Sequence, residues 1–266
     1  MTRNTNLELA GSHPAAVGAA LSQWSTSPGP LPGARLRLFC FPYAGGTASA
    51  IAKLFGGLAP DVSACSVELP GRGSRLSEQP VDDLAELVEI IAAEVEPLLD
   101  RPFAFFGHSM GTLLSFELAR WLRRKGKPEP VHLLVSAGGA PQIREAKPAT
   151  RPLLDHELVE KLRYLNGTPP AVLDNPELMA LVLPVIRADL FAIDTYSYRE
   201  EPPLTCPITA FGGLGDLTVT RDELAGWRDQ TTGPFTLRML PGDHFFLNGA
   251  RLALTEVVAR DLRQYC

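Results

Sequence analysis

No extended tract of basic residues, beyond the short run Arg123-Arg124-Lys125-Gly126-Lys127, occurs in the 266-residue chain, and its formal charge is −5. Nucleic acid is thereby excluded as the main partner, because phosphate recognition needs a positive field. The charge by itself predicts no acidic substrate. No apolar run reaches the ~18 residues needed to span a bilayer, so no membrane partner is expected. Cysteine is sparse. Cys40, Cys65, Cys206 and Cys266 are scattered, with no Cys-x-x-Cys pair and no histidine at zinc spacing. No metal site is expected, and the compartment reads as reducing and cytoplasmic. Cys40 and Cys206 lie in apolar, strand-like runs and are expected to be buried thiols. Heptads and internal repeats are absent too, and a monomer is expected.

Apolar residues, in contrast, make up 45% of the chain. That suffices for one sizeable domain, or a domain with an insertion. Residues 1–34 differ from the rest. They are rich in Asn, Ser, Gly and Pro and end in Ser25-Thr26-Ser27-Pro28-Gly29-Pro30-Leu31-Pro32-Gly33. A segment with so little to bury is expected to be a flexible N-terminal extension. The apolar run Ala15 to Leu21 is short, broken by Gly18 and not preceded by clustered basic residues, so it does not fit a signal peptide. A short amphipathic helix over Ala15–Trp24, docked on the domain, is the alternative.

Beyond residue 34 the pattern alternates between strand and helix. Strands are predicted over Arg35–Phe41, Cys65–Leu69, Phe103–Phe106, Val131–Ser136, Ile208–Phe211 and Phe235–Leu240. Leu84, Leu87, Val88, Ile91, Val95 and Leu98 recur at helical spacing. Further helices are predicted over 112–125 and 250–264. Strands separated by helices imply an α/β fold with a mainly parallel central sheet, flanked by helices on both faces. From about Gln142 to Tyr198 the rhythm breaks. Helices are expected over Asp155–Leu165, Pro176–Leu183 and Val185–Tyr196, and no strand. This stretch reads either as a lid over the carboxyl ends of the strands or as an ordinary helical subdomain.

Gly107-His108-Ser109-Met110-Gly111 lies between a predicted strand and a predicted helix. Gly-x-Ser-x-Gly in that setting is a nucleophile elbow, whose glycines let a strained turn close. A serine hydroxyl needs a base, and the base needs a carboxylate to orient it. In α/β-hydrolases these follow in the order serine, acid, histidine. His244 comes directly after the strand Phe235–Leu240 and is the candidate base. His156 reads as a solvated helix residue and His132 as structural. His108 is expected to point away from the reacting centre. Asp216, in the glycine-rich loop Phe211-Gly212-Gly213-Leu214-Gly215-Asp216, is the candidate acid, with Asp243 as runner-up. An oxyanion hole needs two backbone N–H groups. Met110 is expected to supply one. The loop Phe41-Pro42-Tyr43-Ala44-Gly45-Gly46 is expected to supply the other. Pro42 has no N–H, which leaves Ala44, with Tyr43 close behind.

Four segments together carry a resemblance. They are Leu38-Phe39-Cys40-Phe41-Pro42-Tyr43-Ala44-Gly45-Gly46, Leu69-Pro70-Gly71-Arg72-Gly73-Ser74-Arg75, the elbow, and Gly242-Asp243-His244-Phe245-Phe246-Leu247. With them the chain resembles the stand-alone type II thioesterases of polyketide and non-ribosomal peptide synthetases, over about residues 35–264. Leu165-Asn166-Gly167-Thr168-Pro169-Pro170 and Arg187-Ala188-Asp189-Leu190 extend the likeness into the insertion. The resemblance implies an α/β-hydrolase core over 35–141 and 199–266, with a helical lid over 142–198. It implies Ser109 as nucleophile, Asp216 as acid and His244 as base. It implies hydrolysis of acyl groups from the phosphopantetheine arm of acyl- or peptidyl-carrier domains, clearing stalled or wrongly primed synthetases with no cofactor. Tyr43 is a candidate substrate contact. Leu165, Val172, Leu178, Leu183 and Phe191 would line an acyl chamber or pack the lid onto the core. Arg72 and Arg75 would meet the carrier or form buttressing salt bridges. Asp243 replaces a glycine that often precedes the histidine, and is expected to perturb it. The competing readings are an esterase or lipase acting on free esters, and a non-catalytic synthetase partner.

Overall fold

The computed structural model describes residues 25–26, 31, 33–58, 60–144 and 154–266. Most of the expected extension, including the helix over 15–24, lies outside the described residues.

Seven strands form one sheet in the order β1-β3-β2-β4-β5-β6-β7. They are β1 (Ser25–Thr26), β2 (Leu36–Phe41), β3 (Val62–Ser66), β4 (Phe103–His108), β5 (His132–Ser136), β6 (Ile208–Gly213) and β7 (Phe235–Leu240). All pairings among β2 to β7 are parallel. β1 pairs antiparallel with β3, Ser25 opposite Ser66. No strand is legible there in the sequence; the two residues take up the free edge of β3. β3 itself starts three residues before the predicted Cys65, because Leu36 to Cys40 of β2 offer it a continuous partner.

The helices are α1 (Ala48–Ala52), α2 (Leu84–Val95), α3 (Met110–Arg124), α4 (Asp155–Leu165), α5 (Pro170–Leu173), α6 (Pro176–Thr195), α7 (Arg221–Ala225), α8 (Phe246–Gly249) and α9 (Arg251–Leu262). Two-residue alternation splits the core. Phe39, Phe41, Phe103 and Phe105 face α2 and α3. Leu36, Leu38, Cys40 and Phe106 face α1 and α9. With helices on both sides, the central strands are apolar on both faces, and every residue of β2 and β4 is buried. Capping follows simple chemistry: Asp83 accepts the Glu86 amide at the start of α2 (2.8 Å).

The insertion has its own apolar cluster of Leu158, Leu162, Leu173, Met179, Leu183 and Ile186. Its long helix differs from expectation. α6 runs unbroken through Pro184, where the sequence predicts a break. Leu183, Val185 and Ile186 are all buried there, and that packing outweighs the local proline penalty of about 3 kcal/mol. Among the described residues no helix is long and apolar enough to cross a membrane.

The chain steps from β2 to β3 on one side, then returns to β4 on the other. α1, which follows β2, and α3, which follows β4, therefore cover opposite faces. The carboxyl ends of β2 and β4 frame the crevice where open α/β sheets bind ligands.

Candidate active site

Ser109 stands at that crevice. Its backbone is left-handed, φ 54° and ψ −112°, a conformation that costs a non-glycine residue about 1–3 kcal/mol. The turn is held closed by the Ser109 amide on the Ser136 carbonyl (2.8 Å) and by the Thr112 amide and hydroxyl on the Ser109 carbonyl (3.0 and 2.7 Å). Both elbow glycines are required by space. A Cβ at 107 would stand 2.0 Å from the Gly111 oxygen, and one at 111 would stand 2.2 Å from the Phe41 oxygen.

His244 follows β7, and its Nε2 lies 3.1 Å from Ser109 Oγ. Its Nδ1 lies 2.9 Å from Asp216 Oδ2, on the loop after β6. A carboxylate at Nδ1 fixes the tautomer: Nδ1–H donates to Asp216, and Nε2 accepts from the serine hydroxyl. The three residues singled out from the sequence thus meet as one hydrogen-bonded chain. Burial pushes the Asp216 carboxyl up, but hydrogen bonds from His244, the Thr218 hydroxyl and the Thr218 amide outweigh it and leave its pKa below the usual value.

Thr218 is a member of the site that sequence reasoning missed. Its Oγ1 donates to Asp216 Oδ1 at 2.7 Å and lies 2.9 Å from His244 Nδ1. The amides of Thr218 and Val219 also donate to Oδ1. Its spacing two residues after a loop aspartate was the available signal, since an Asx turn binds the backbone amide at that position and brings its side chain alongside the carboxylate.

Asp243 does not act on His244 through its side chain. Its carboxylate accepts from Phe245 N (2.8 Å) and from Asn166 Nδ2 of the insertion (3.0 Å). His108, expected to point away, packs against the site instead. Its ring centroid lies 5.6 Å from that of His244, and its Nδ1 is 2.9 Å from Ser136 Oγ. Burial, followed by the neighbouring His244, holds His108 well below the usual histidine range, so it is neutral. His132 is structural as expected, buried and bonded to Thr209 (2.9 Å).

The loop after β2 forms a tight turn. The Gly46 amide donates to the Tyr43 carbonyl at 2.8 Å, and Gly45, with φ +74°, takes the position that a type II turn reserves for glycine. The Gly45 amide donates to Asp189 Oδ2 on α6 (2.7 Å). With the Gly45 and Gly46 amides engaged and Pro42 lacking one, Tyr43 and Ala44 are the remaining donors of this loop. Met110 opens α3, so its N–H is one of the orphan donors of a helix start.

Arg72 does not offer itself to a partner's surface. It is buried against Asp189 through two bonds, 2.5 and 2.8 Å, as a buttress between core and insertion. Arg75 pairs with Glu78 and Glu94. Glu68, buried below the turn, accepts the Ala48 amide at 3.0 Å, and burial raises its pKa.

A cavity of about 60 Å³ touches Ser109, His244, Tyr43, Ala44, Leu165 and Ile186 among others. Of the insertion residues proposed for an acyl chamber, Leu165 lines it. Val172 and Leu183 pack within the insertion, and Leu178 and Phe191 are exposed. A larger cleft of about 480 Å³ between α2, α3 and the end of α6 contains none of the three site residues. Among the described residues no group of three or more His, Cys, Asp or Glu is placed to hold a metal ion.

Comparison with known proteins identifies the family. Residues 36–265 match the Thioesterase domain family. The gramicidin S biosynthesis protein GrsT of Aneurinibacillus migulanus is 46% identical over 243 residues, covering 91% of this chain and 95% of the relative. Among solved structures, the RedJ thioesterase of the prodiginine pathway in Streptomyces coelicolor superimposes with a TM-score of 0.81 at 42% identity, covering 87% of this chain and 92% of the other. The type II thioesterase BorB from the borrelidin cluster gives a TM-score of 0.79 at 40% identity, covering 86% and 93%.

Proposed function

The chain belongs to the thioesterase family, and from that premise we propose that it releases acyl groups from phosphopantetheine arms of carrier domains, by way of a Ser109 acyl-enzyme. It is a thioester hydrolase on an α/β-hydrolase fold. Ser109 Oγ attacks the thioester carbonyl while His244 Nε2 takes its proton. The C–S bond breaks, and His244 returns that proton to the departing thiolate. Water then attacks the acyl-enzyme, with His244 again as base, and frees the acid and Ser109. Asp216 holds the imidazole and offsets its transient charge. The Met110 amide, with that of Ala44 or Tyr43, faces the developing oxyanion. The insertion is the lid of this site, and Tyr43 and Leu165 contact the acyl group.

The observation that carries this reading is the unbroken chain Ser109–His244–Asp216 at 3.1 and 2.9 Å. The biosynthetic roles of GrsT, RedJ and BorB support carrier-bound acyl groups as substrate, and editing of a polyketide or non-ribosomal peptide synthetase as the function.

The test is hydrolysis of a panel of acyl groups loaded on a phosphopantetheinyl carrier, wild type beside Ser109→Ala, with p-nitrophenyl esters in parallel. Release from the carrier that disappears in Ser109→Ala is expected. Turnover of free esters with inert carrier thioesters would keep the nucleophile and overturn the substrate.

A further inference from the structure

Between the lid and the turn after β2 lies a buried contact that covering the substrate does not require. Asp189, fully buried on α6, divides its carboxylate between two core elements. Oδ2 accepts from the Gly45 amide at 2.7 Å and from Arg72 Nη1 at 2.5 Å; Oδ1 accepts from Arg72 Nη2 at 2.8 Å. Arg72 is itself fixed, donating from Nε and Nη2 to the Pro70 carbonyl. α6 also presses directly on the turn, since a Cβ at Gly45 would lie 2.5 Å from Ile186 Cγ1.

We infer that Asp189 is a positioning residue for the oxyanion turn, so that the seated lid completes the geometry of the reaction as well as covering it. The reason lies in the turn. Types I and II differ by a flip of the central peptide, here Ala44–Gly45. That flip exchanges the faces on which the Ala44 carbonyl and the Gly45 N–H stand; the donor N–H of Ala44 or Tyr43 lies outside the flipping peptide but is carried by the same turn, whose shape the flip changes. An ionised carboxylate bonded to Gly45 N–H opposes it, and charge-assisted bonds of this kind are the strong ones. Arg72 holds that carboxylate in register with the core. Movement of α6 away from the core would remove the acceptor and free the peptide to turn. The inference rests on the assignment of Ser109 and of the turn's oxyanion role.

The test uses a reagent that needs Ser109 and an oxyanion site but no lid contacts. Diethyl p-nitrophenyl phosphate is suitable. Ser109 Oγ bonds to phosphorus, p-nitrophenolate leaves, and His244 takes the serine proton. Removing one partner of a buried ion pair risks unfolding, whereas replacing both by apolar residues is often neutral. The variant is therefore R72M/D189L, with its fold checked by circular dichroism. Its phosphorylation rate is expected to fall about 10- to 100-fold, part of the loss seen when an oxyanion donor is removed. The kcat for carrier thioesters should fall with it while KM stays near that of wild type. R72M/D189N, whose amide oxygen again accepts from Gly45, should recover most of the loss. Should R72M/D189L not fold, Asp189→Glu keeps the charge but displaces the acceptor, and should lower phosphorylation in the same way. Phosphorylation at the wild-type rate, or a loss confined to KM, would overturn the inference. Labelling that persists in Ser109→Ala would overturn it together with the nucleophile assignment. Inert carrier thioesters would overturn the substrate alone, and the phosphorylation rates would still decide on Asp189.

Discussion

Thr218 and Asp216 show how much of the site depends on single atoms. Thr218 Oγ1 saturates the Asp216 oxygen that His244 does not use. Thr218→Val keeps the shape and removes the donor. A lost hydrogen bond of about 1 kcal/mol corresponds to a fall of about fivefold in kcat, with KM unchanged, in steady-state assays. Asp216→Asn should cost far more, on the order of 10⁴-fold in kcat, because an amide favours the wrong histidine tautomer. The depressed Asp216 pKa has a thermodynamic side. A carboxyl that ionises more readily folded than unfolded stabilises the fold above about pH 4, and this is lost as pH falls through its folded pKa. Denaturant titrations of wild type and Asp216→Asn should therefore differ at pH 7 and converge in acid.

At the scale of elements, the elbow works because β2, β4 and α3 approach closely. Gly111→Ala would drive a methyl into the Phe41 carbonyl. It is expected to destabilise by at least about 2 kcal/mol, as overpacking does, and to lose hydrolysis, as thermal melts and kinetic assays would record. Most elements were legible in the sequence because their patterns are unmixed: β2 is apolar but for Arg37, β4 is apolar up to its closing Gly107-His108, and α2 repeats at helical spacing. Ser109, Asp216 and His244 were legible because each follows a strand, and strand order fixes which loops converge. What escaped reading depends on tertiary context. Continuity of α6 through Pro184 is decided by the cluster beneath it. β1 exists because β3 has a free edge. The Asp189–Arg72 contact joins residues 117 positions apart, and no local rule pairs them.

Across the whole molecule, buried histidines tie stability to pH. Burial pushes His132 down to about 4. Between pH of about 6.5 and 4 the unfolded chain binds a proton that the folded chain refuses, so stability falls as pH falls. The difference in pKa corresponds to a loss on the order of 3 kcal/mol. His132→Gln should flatten that fall, read as a smaller shift in urea midpoint between pH 7.5 and pH 5. The pairing of α6 with the core also governs how this fold can be recombined. An insertion exchanged between relatives carries part of the support for the Gly45 turn with it. Chimeras that retain Arg72 should therefore be chosen from donors with an acid at the position of Asp189, or be built with both halves of the pair changed together.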